Sequence, residues 1–350
     1  MTVMVEAKNV SKRFVKKIDF AERFAIRLGA AKPPSAVHAL DGVNISIASG
    51  EVVGLVGESG CGKSTLGRIM AGMLQPSEGA VLWHGNDVAG LNGKDRRAMR
   101  LDAQIIFQDP MSSLNPRMRV RDIIGEAPRV HGLVPRGEID KKITELLETV
   151  GLDSAMAQRF PHQFSGGQRQ RIGIARALAV DPDFLVCDES IAALDVSIQA
   201  QIINLLMDLR KRLNLTLLFI SHDLSVVRHI CDRVVIMYLG RVVEEARTTE
   251  LFARPRHPYT AALLDEVPRI DRRNRRFTTI KGEIPSPINP PSGCHFHPRC
   301  PFAFDRCRTE VPRLAQIEGG HRSACHLNEE ATPPDFTTVK TISTTIAKGD

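Results

Sequence analysis

Two glycines, a lysine and a serine (Gly57, Gly62, Lys63 and Ser64) in Gly57-Glu58-Ser59-Gly60-Cys61-Gly62-Lys63-Ser64 have the spacing G-x-x-x-x-G-K-[ST], which suits a chain that must wrap a phosphate group. Glycine lets the backbone turn tightly and approach phosphate oxygens, and successive N–H groups can then point into one nest. Lys63 offers a point charge to β- and γ-phosphates, and the Ser64 hydroxyl can ligate Mg²⁺. Further chemistry-bearing residues follow short apolar runs: Gln108 after 104–107, Asp188 and Glu189 after 184–187, and His222 after 215–220. Asp188 is suited to hold Mg²⁺, Glu189 to orient and deprotonate a water, His222 to meet a terminal phosphate and that water, and Gln108 to join the metal or position water. A second Gly-Gly step, in Ser165-Gly166-Gly167-Gln168, precedes a helical pattern and makes a second candidate anion site.

These residues need a scaffold that brings the ends of several strands together. The apolar run at 52–56 reads as a buried parallel strand, and Leu66, Ile69, Met70, Met73 and Leu74 give one helical stripe after the glycine loop, with Pro76 and Gly79 as stop signals. The N-terminus of that helix would face the phosphates and add its dipole. Residues 5–14 and 36–56 read as β-rich flanks around a basic surface excursion at 15–35, and 80–84 as a further strand with its turn at 85–87. From 121 to 150 the period becomes helical, which predicts a helical region inserted in an α/β core. Strands at 184–187, 215–220 and 233–238 alternate with helices at 170–179 and 197–213, so the fold class is α/β with a parallel, doubly wound sheet whose core ends at Leu239-Gly240. In such sheets ligands bind at the carboxyl ends of the strands.

At 350 residues, with 43% apolar and 25% charged, the composition is that of a globular protein with one α/β domain and room for a smaller one. No apolar run approaches the ~20 residues of a membrane span, and the N-terminus lacks a signal-type apolar segment. The chain is therefore expected in the cytosol, with peripheral membrane contact at most. The net charge of +7 includes a cluster at Arg269, Arg272, Arg273, Arg275 and Arg276. It has no interleaved aromatics, which weighs against nucleic acid as a partner and leaves a solvated linker or an anionic surface.

The set comprising Gly57, Glu58, Ser59, Gly60, Cys61, Gly62, Lys63, Ser64 and Thr65, then Gln108, Ser165-Gly166-Gly167-Gln168, Asp188-Glu189 and His222 resembles the nucleotide-binding subunit of an ABC transporter, across about residues 5–250. The resemblance implies a P-loop NTPase core that hydrolyses ATP with Mg²⁺. Phe14 would stack on adenine, Ser165, Gly166 and Gly167 would bind the γ-phosphate held by an opposite ATPase subunit, and Ala193-Leu194-Asp195 would link the two sites. Gln108 and the helical insert would meet the permease. The family commonly has Pro-Thr-Ser after the glutamate, whereas this chain has Ser190-Ile191-Ala192, a departure expected to loosen the inter-site loop and slow turnover. A soluble ABC ATPase acting on nucleic acid would want a coiled coil, inserted zinc fingers or a second ATPase domain, and the sequence shows none.

The C-terminal third narrows the resemblance. Arg254-Pro255-Arg256-His257-Pro258-Tyr259-Thr260, and Gly293-Cys294-His295-Phe296-His297-Pro298-Arg299-Cys300-Pro301 after the proline-rich 281–291, are similar to the extension of oligopeptide and dipeptide permease ATPases. That implies peptide import at the inner membrane with two integral-membrane permease subunits, a second ATPase subunit (a paralogue in preference to a second copy of this chain), and an extracytoplasmic solute-binding protein. Related systems also carry glutathione, nickel, opines or sugars. Cys294, Cys300, Cys307 and Cys325 crowd together as C-x₅-C-x₆-C-x₁₇-C, without the C-x₂-C of common zinc ribbons. Four thiolates can hold zinc or an iron–sulfur cluster, and the chemistry alone leaves the metal open. The resemblance implies [4Fe–4S], while His295, His297, His321 and His326 keep zinc as the alternative. The expected organisation is an ATPase domain at 1–255 with its helical subdomain at about 110–180, an extension at 256–331 and a disordered tail at 332–350.

Overall fold

A computed structural model describes residues 2–15, 19, 24, 26, 35–109, 113–190, 195–266, 282–329 and 336. Most of the basic excursion, the arginine cluster at 269–276, Ala193 and Leu194 lie outside the described residues, as does the tail apart from Phe336. That side chain is buried, with its ring 5.5 Å from Phe302.

The strands are β1 (Val3–Val15), β2 (Ala36–Ala48), β3 (Val52–Val56), β4 (Glu78–Trp83), β5 (Asn86–Asp87), β6 (Ala103–Ile106), β7 (Phe184–Asp188), β8 (Thr216–Ser221), β9 (Arg233–Tyr238), β10 (Arg241–Arg247), β11 (Ala315–Glu318) and β12 (His321–Ser323). The α-helices are α1 (Lys63–Met70), α2 (Gly93–Asp102), α3 (Val120–His131), α4 (Ile139–Thr149), α5 (Gly166–Leu178), α6 (Val196–Leu213), α7 (Leu224–Ile230), α8 (Thr248–Ala253), α9 (Pro258–Glu266) and α10 (Asp305–Thr309).

The main sheet has the order β11-β12-β10-β9-β3-β8-β7-β6, and its segment from β9 to β6 is parallel. The interiors of these central strands are largely apolar because both faces are covered. Val52 and Val56 face a core shared with α3, α4, α5 and α6, whereas Val53 and Leu55 face the core shared with α1 and the N-terminal strands. Leu217 and Phe219 of β8 divide from Leu218 and Ile220 in the same way, as the two-residue period of a strand requires.

The structure departs from the simple doubly wound expectation in three places. The β-rich flanks form a separate antiparallel sheet, β2-β1-β4-β5, which shares the α1 core. The main sheet continues past Gly240 into β10, antiparallel to β9. Arg241–Arg247 reads as polar, yet Glu244 and Glu245 are buried with partners: Glu245 meets Arg233, and Glu244 Oε1 lies 2.6 Å from His321 Nε2. Finally, α1 stops at Met70, because Gly72 takes a left-handed φ of 69° and turns the chain out. Met73, expected on its buried stripe, is 61% exposed.

The segment after β10 packs back on the core. Tyr259 of α9 and Phe296 enclose Tyr238 of β9, with ring centroids 4.8 and 5.3 Å from it. His257, buried just before α9, accepts the Tyr259 N–H at Nδ1, 3.1 Å away. Burial lowers the His257 pKa from 6.5 to about 3, so the folded ring stays neutral while the unfolded ring takes up a proton. The resulting stability is complete above pH 6.5 and is lost as pH falls towards 3. By pH 5 the loss is about 2 kcal/mol. Thermal unfolding across pH 7 to 5 should show this acid limb, and His257→Asn, which keeps an acceptor and does not titrate, should flatten it; an unchanged limb would remove His257 as its source.

Candidate functional site

β3 delivers the glycine loop. It is buried between β8 and β9, so the loop emerges from the middle of the parallel sheet and leads directly into α1. Gly62 takes φ 106°, and a Cβ there would lie 2.3 Å from the Ala39 carbonyl oxygen of β2, so only glycine fits. Ser59 and Gly60 form the exposed tip, while Cys61 is buried and Thr65 partly so. Lys63 is 4% exposed and folds back on its own loop, donating to the carbonyl oxygens of Gly57 at 2.8 Å and Glu58 at 3.1 Å.

The sheet order places the other candidates beside it. β8, β7 and β6 follow β3 in turn, and their carboxyl ends carry His222, then Asp188 and Glu189, then Gln108. Ser64 Oγ donates to Asp188 Oδ1 at 2.7 Å. Burial raises the Asp188 pKa, opposed by the Ser64 hydrogen bond. Glu189 sits at φ 44°, unusual for a non-glycine residue, with its N–H donating to the Ile220 carbonyl. Its Oε2 accepts from Gln108 Nε2 at 2.8 Å, while its Oε1 lies 3.7 Å from His222 Nδ1 and 3.9 Å from Lys63 Nζ. Four strand ends thus supply one charged cluster. A partly buried hydroxyl–carboxylate pair suits a hard cation such as Mg²⁺, and a carboxylate held by an amide beside a lysine can accept a proton from water.

The remaining candidates stand around this cluster. Phe14 is exposed on β1 opposite Val37, two residues along β2 from the Ala39 carbonyl that packs on Gly62, and Lys12 Nζ lies 5.3 Å from its ring centre. Ser165 caps α5 in a reciprocal arrangement: Gln168 Oε1 accepts the Ser165 N–H at 3.0 Å, and Ser165 Oγ accepts the Gln168 N–H at 3.4 Å. Gly166 begins the helix, and Gly167 is buried against Ile198 of α6. Among the described residues no hydrogen bond or ion pair joins Ser165, Gly166, Gly167 or Gln168 to the phosphate loop. Asp195 is exposed at the start of α6.

Residues 40–192 match the ABC transporter family, and residues 243–307 match the oligopeptide/dipeptide transporter C-terminal region. The oligopeptide transport ATP-binding protein AppF of Bacillus subtilis is 50% identical over 88% of this chain and 95% of its own length. A putative peptide import ATP-binding protein of Brucella ovis is 53% identical over 82% of this chain and 90% of its own. The chain belongs to the ABC transporter ATPases. Solved cassettes agree in fold: CbiO1 from Clostridium perfringens has a TM-score of 0.59 at 28% identity, covering 72% of this chain and 92% of its own. The dimeric cassette MJ0796 bound to ADP and Pi has a TM-score of 0.59 at 29% identity, covering 70% and 99%. No helix among the described residues of this ABC ATPase is long and apolar enough to cross a membrane.

The cysteine cluster is only partly as expected. Cys307 is buried and Cys294, Cys300 and Cys325 half-buried, all four as free thiols. Burial pushes the thiols of Cys300 and Cys325 up to about 12 and raises that of Cys294, with the neighbouring cysteines adding to each shift, so the four share one neighbourhood. Even so, among the described residues no three His, Cys, Asp or Glu groups converge to hold a metal ion. The four histidines have other partners: His295 at the Leu239 carbonyl, His297 at the Cys294 carbonyl, His321 at Glu244 and His326 at the Glu310 carbonyl.

Two residues of the phosphate-loop surroundings have no signal in the spacing of the motifs. Tyr259 Oη accepts the Glu58 N–H at 2.9 Å, and Arg299 forms a two-pronged ion pair with the Glu58 carboxylate.

Proposed function

We propose that the chain is one ATPase subunit of an importer for di- and oligopeptides, working on the cytoplasmic face of the inner membrane. Its partners are two integral-membrane permease subunits, a second and paralogous ATPase subunit, and an extracytoplasmic solute-binding protein. The observation that carries the enzymatic part is the meeting of Lys63, Ser64, Asp188 and Glu189 at adjacent strand ends. The peptide cargo is supported by the oligopeptide/dipeptide transporter match at 243–307 and by relatives named for peptide import.

In this reading the loop from Gly57 to Thr65 cradles the phosphates of ATP, with Lys63 swinging from the loop carbonyls to the β/γ oxygens, and Phe14 stacking on adenine. Ser64, Asp188 and the amide oxygen of Gln108 would hold Mg²⁺, whose charge neutralises the phosphate oxygens when bound. Glu189 takes a proton from the attacking water, fixed for that role by the Gln108 amide, while His222 orients the water and the γ-phosphate. Ser165, Gly166, Gly167 and Gln168 complete the site of the opposite subunit, and Asp195 lies on the connection between the two sites. The dimeric state of the MJ0796 cassette supports such a pairing.

Glu189→Gln in the assembled, membrane-reconstituted transporter should keep ATP binding and lose ATPase by about 10²–10⁴-fold, the size expected for a general base. In the wild type, the solute-binding protein loaded with peptide should accelerate hydrolysis. Near-normal turnover of the variant would remove Glu189 from its role, and acceleration by nickel or a sugar but not by peptide would overturn the cargo.

For Cys294, Cys300, Cys307 and Cys325 we propose a [4Fe–4S] cluster, which spaces its four thiolates more widely than a single zinc ion does. The cluster would staple a small, proline-rich region with little core of its own. Protein purified without oxygen should contain iron and acid-labile sulfide in equal amounts and absorb broadly in the visible, and Cys300→Ser should lose both. Stoichiometric zinc, or no metal at all, would refute the assignment.

A further inference from the structure

Glu58 is held at its N–H, its carbonyl and its carboxylate. Its N–H donates to Tyr259 Oη at 2.9 Å, its carbonyl accepts from Lys63 Nζ at 3.1 Å, and its carboxylate accepts Arg299 Nη1 and Nη2 at 2.7 and 2.9 Å. Two of the three partners come from the C-terminal segment, 201 and 241 residues further along the chain. Arg299 is 5% exposed at its side chain, reaches the Tyr238 hydroxyl at 3.4 Å, and lies 5.8 Å from that ring's centre. A second set of contacts runs through the β9–β10 turn: the Gly240 N–H donates to the Cys61 carbonyl, while His295 and Arg241 bind this turn to the C-terminal segment at the Leu239 and Gly293 carbonyls.

A carboxylate in a loop that must accept a polyphosphate is adverse unless its charge is cancelled and its side chain held aside. The two-pronged guanidinium does both, since paired N–H donors fix the plane of the carboxylate as well as its charge. The Tyr259 hydroxyl fixes the backbone at the same residue, so the loop is constrained on both its side chain and its main chain before any nucleotide arrives. Pre-ordering of this kind lowers the cost of binding.

We propose that Tyr259 and Arg299 are positioning residues for the phosphate loop, through which the C-terminal segment sets how tightly the site holds a nucleotide. The proposal rests on the ATPase reading of that loop. It also gives the C-terminal segment a route to the nucleotide: Arg299 stands next to Cys300, and its N–H donates to the carbonyl of Phe296, two residues after Cys294. Linkage is reciprocal, so whatever rearranges the cysteine pocket and displaces Arg299 must change nucleotide affinity.

Calorimetric titration of Mg-ADP into the purified full-length chain tests this without requiring a partner subunit or turnover. Arg299→Gln leaves the Glu58 carboxylate uncompensated and should raise Kd about tenfold, and Tyr259→Phe about threefold. Adding Glu58→Gln to Arg299→Gln removes the stranded charge and should bring Kd back to within about threefold of wild type. Arg322→Gln, which breaks another ion pair of the same segment, should leave Kd unchanged. In the assembled transporter the Arg299 and Tyr259 variants should raise KM for ATP far more than they lower kcat. If Arg299→Gln does not fold, Tyr259→Phe and the double variant carry the test. Folded variants of Arg299 and Tyr259 that hold ADP within about twofold of wild type, whatever their Tm, would overturn the proposal. A wild-type chain that binds no Mg-ADP would instead overturn the nucleotide reading.

Discussion

The Lys63 ammonium is buried in its loop with the Glu189 carboxylate only at the outer edge of ion-pair distance, and that imbalance organises the site. Its hydrogen-bond partners are two carbonyl oxygens of its own loop, with the Glu189 carboxylate 3.9 Å away. Taking such a charge out of water costs several kcal/mol unless it is well paired, so a phosphate anion at this loop would stabilise the cation it holds. The fold keeps the cation there by rigid means: β3 is buried on both faces, Gly62 packs on the Ala39 carbonyl, and α1 begins at the lysine itself.

The strand order then determines which chemistry surrounds the phosphates. Because β8, β7 and β6 follow β3 across the sheet, residues from four distant parts of the sequence stand together at one edge. The left-handed backbone at Glu189 turns the chain sharply after β7, directing one carboxylate at Ser64 and the next at Gln108. Such strain persists only where the surroundings impose it, here through the Ile220 carbonyl that accepts the Glu189 N–H. Ser190, where the family commonly has proline, is buried with no partner for its hydroxyl among the described residues.

The parts of the fold read correctly from sequence are those governed by local pattern. The apolar runs of β3, β7, β8 and β9, the glycine loop, and the helix opening at Gly166 each announce themselves within a few residues, and so do Gln108, Asp188, Glu189 and His222 at the strand ends. The errors have physical sources. The α1 stripe continues to Leu74 in sequence, but the backbone turn at Gly72 overrides it. β10 is hidden because Glu244 and Glu245 look solvent-facing, and only their partners Arg233 and His321 make burial tolerable. The antiparallel β2-β1-β4-β5 sheet depends on pairings between separated segments that no local period encodes. The Arg299–Glu58 contact is hidden for the same reason, since an ion pair closing 241 residues leaves no periodicity.

The most direct measurement of the account is the affinity of Mg-ATP for the Glu189→Gln chain with and without Lys63→Met. If the buried ammonium is the group that the phosphates complete, the second substitution weakens ATP roughly hundredfold while the fold is kept or gains stability from losing an underpaired charge. Equal affinities in two folded proteins would contradict the account, because the site would then be organised around something other than Lys63.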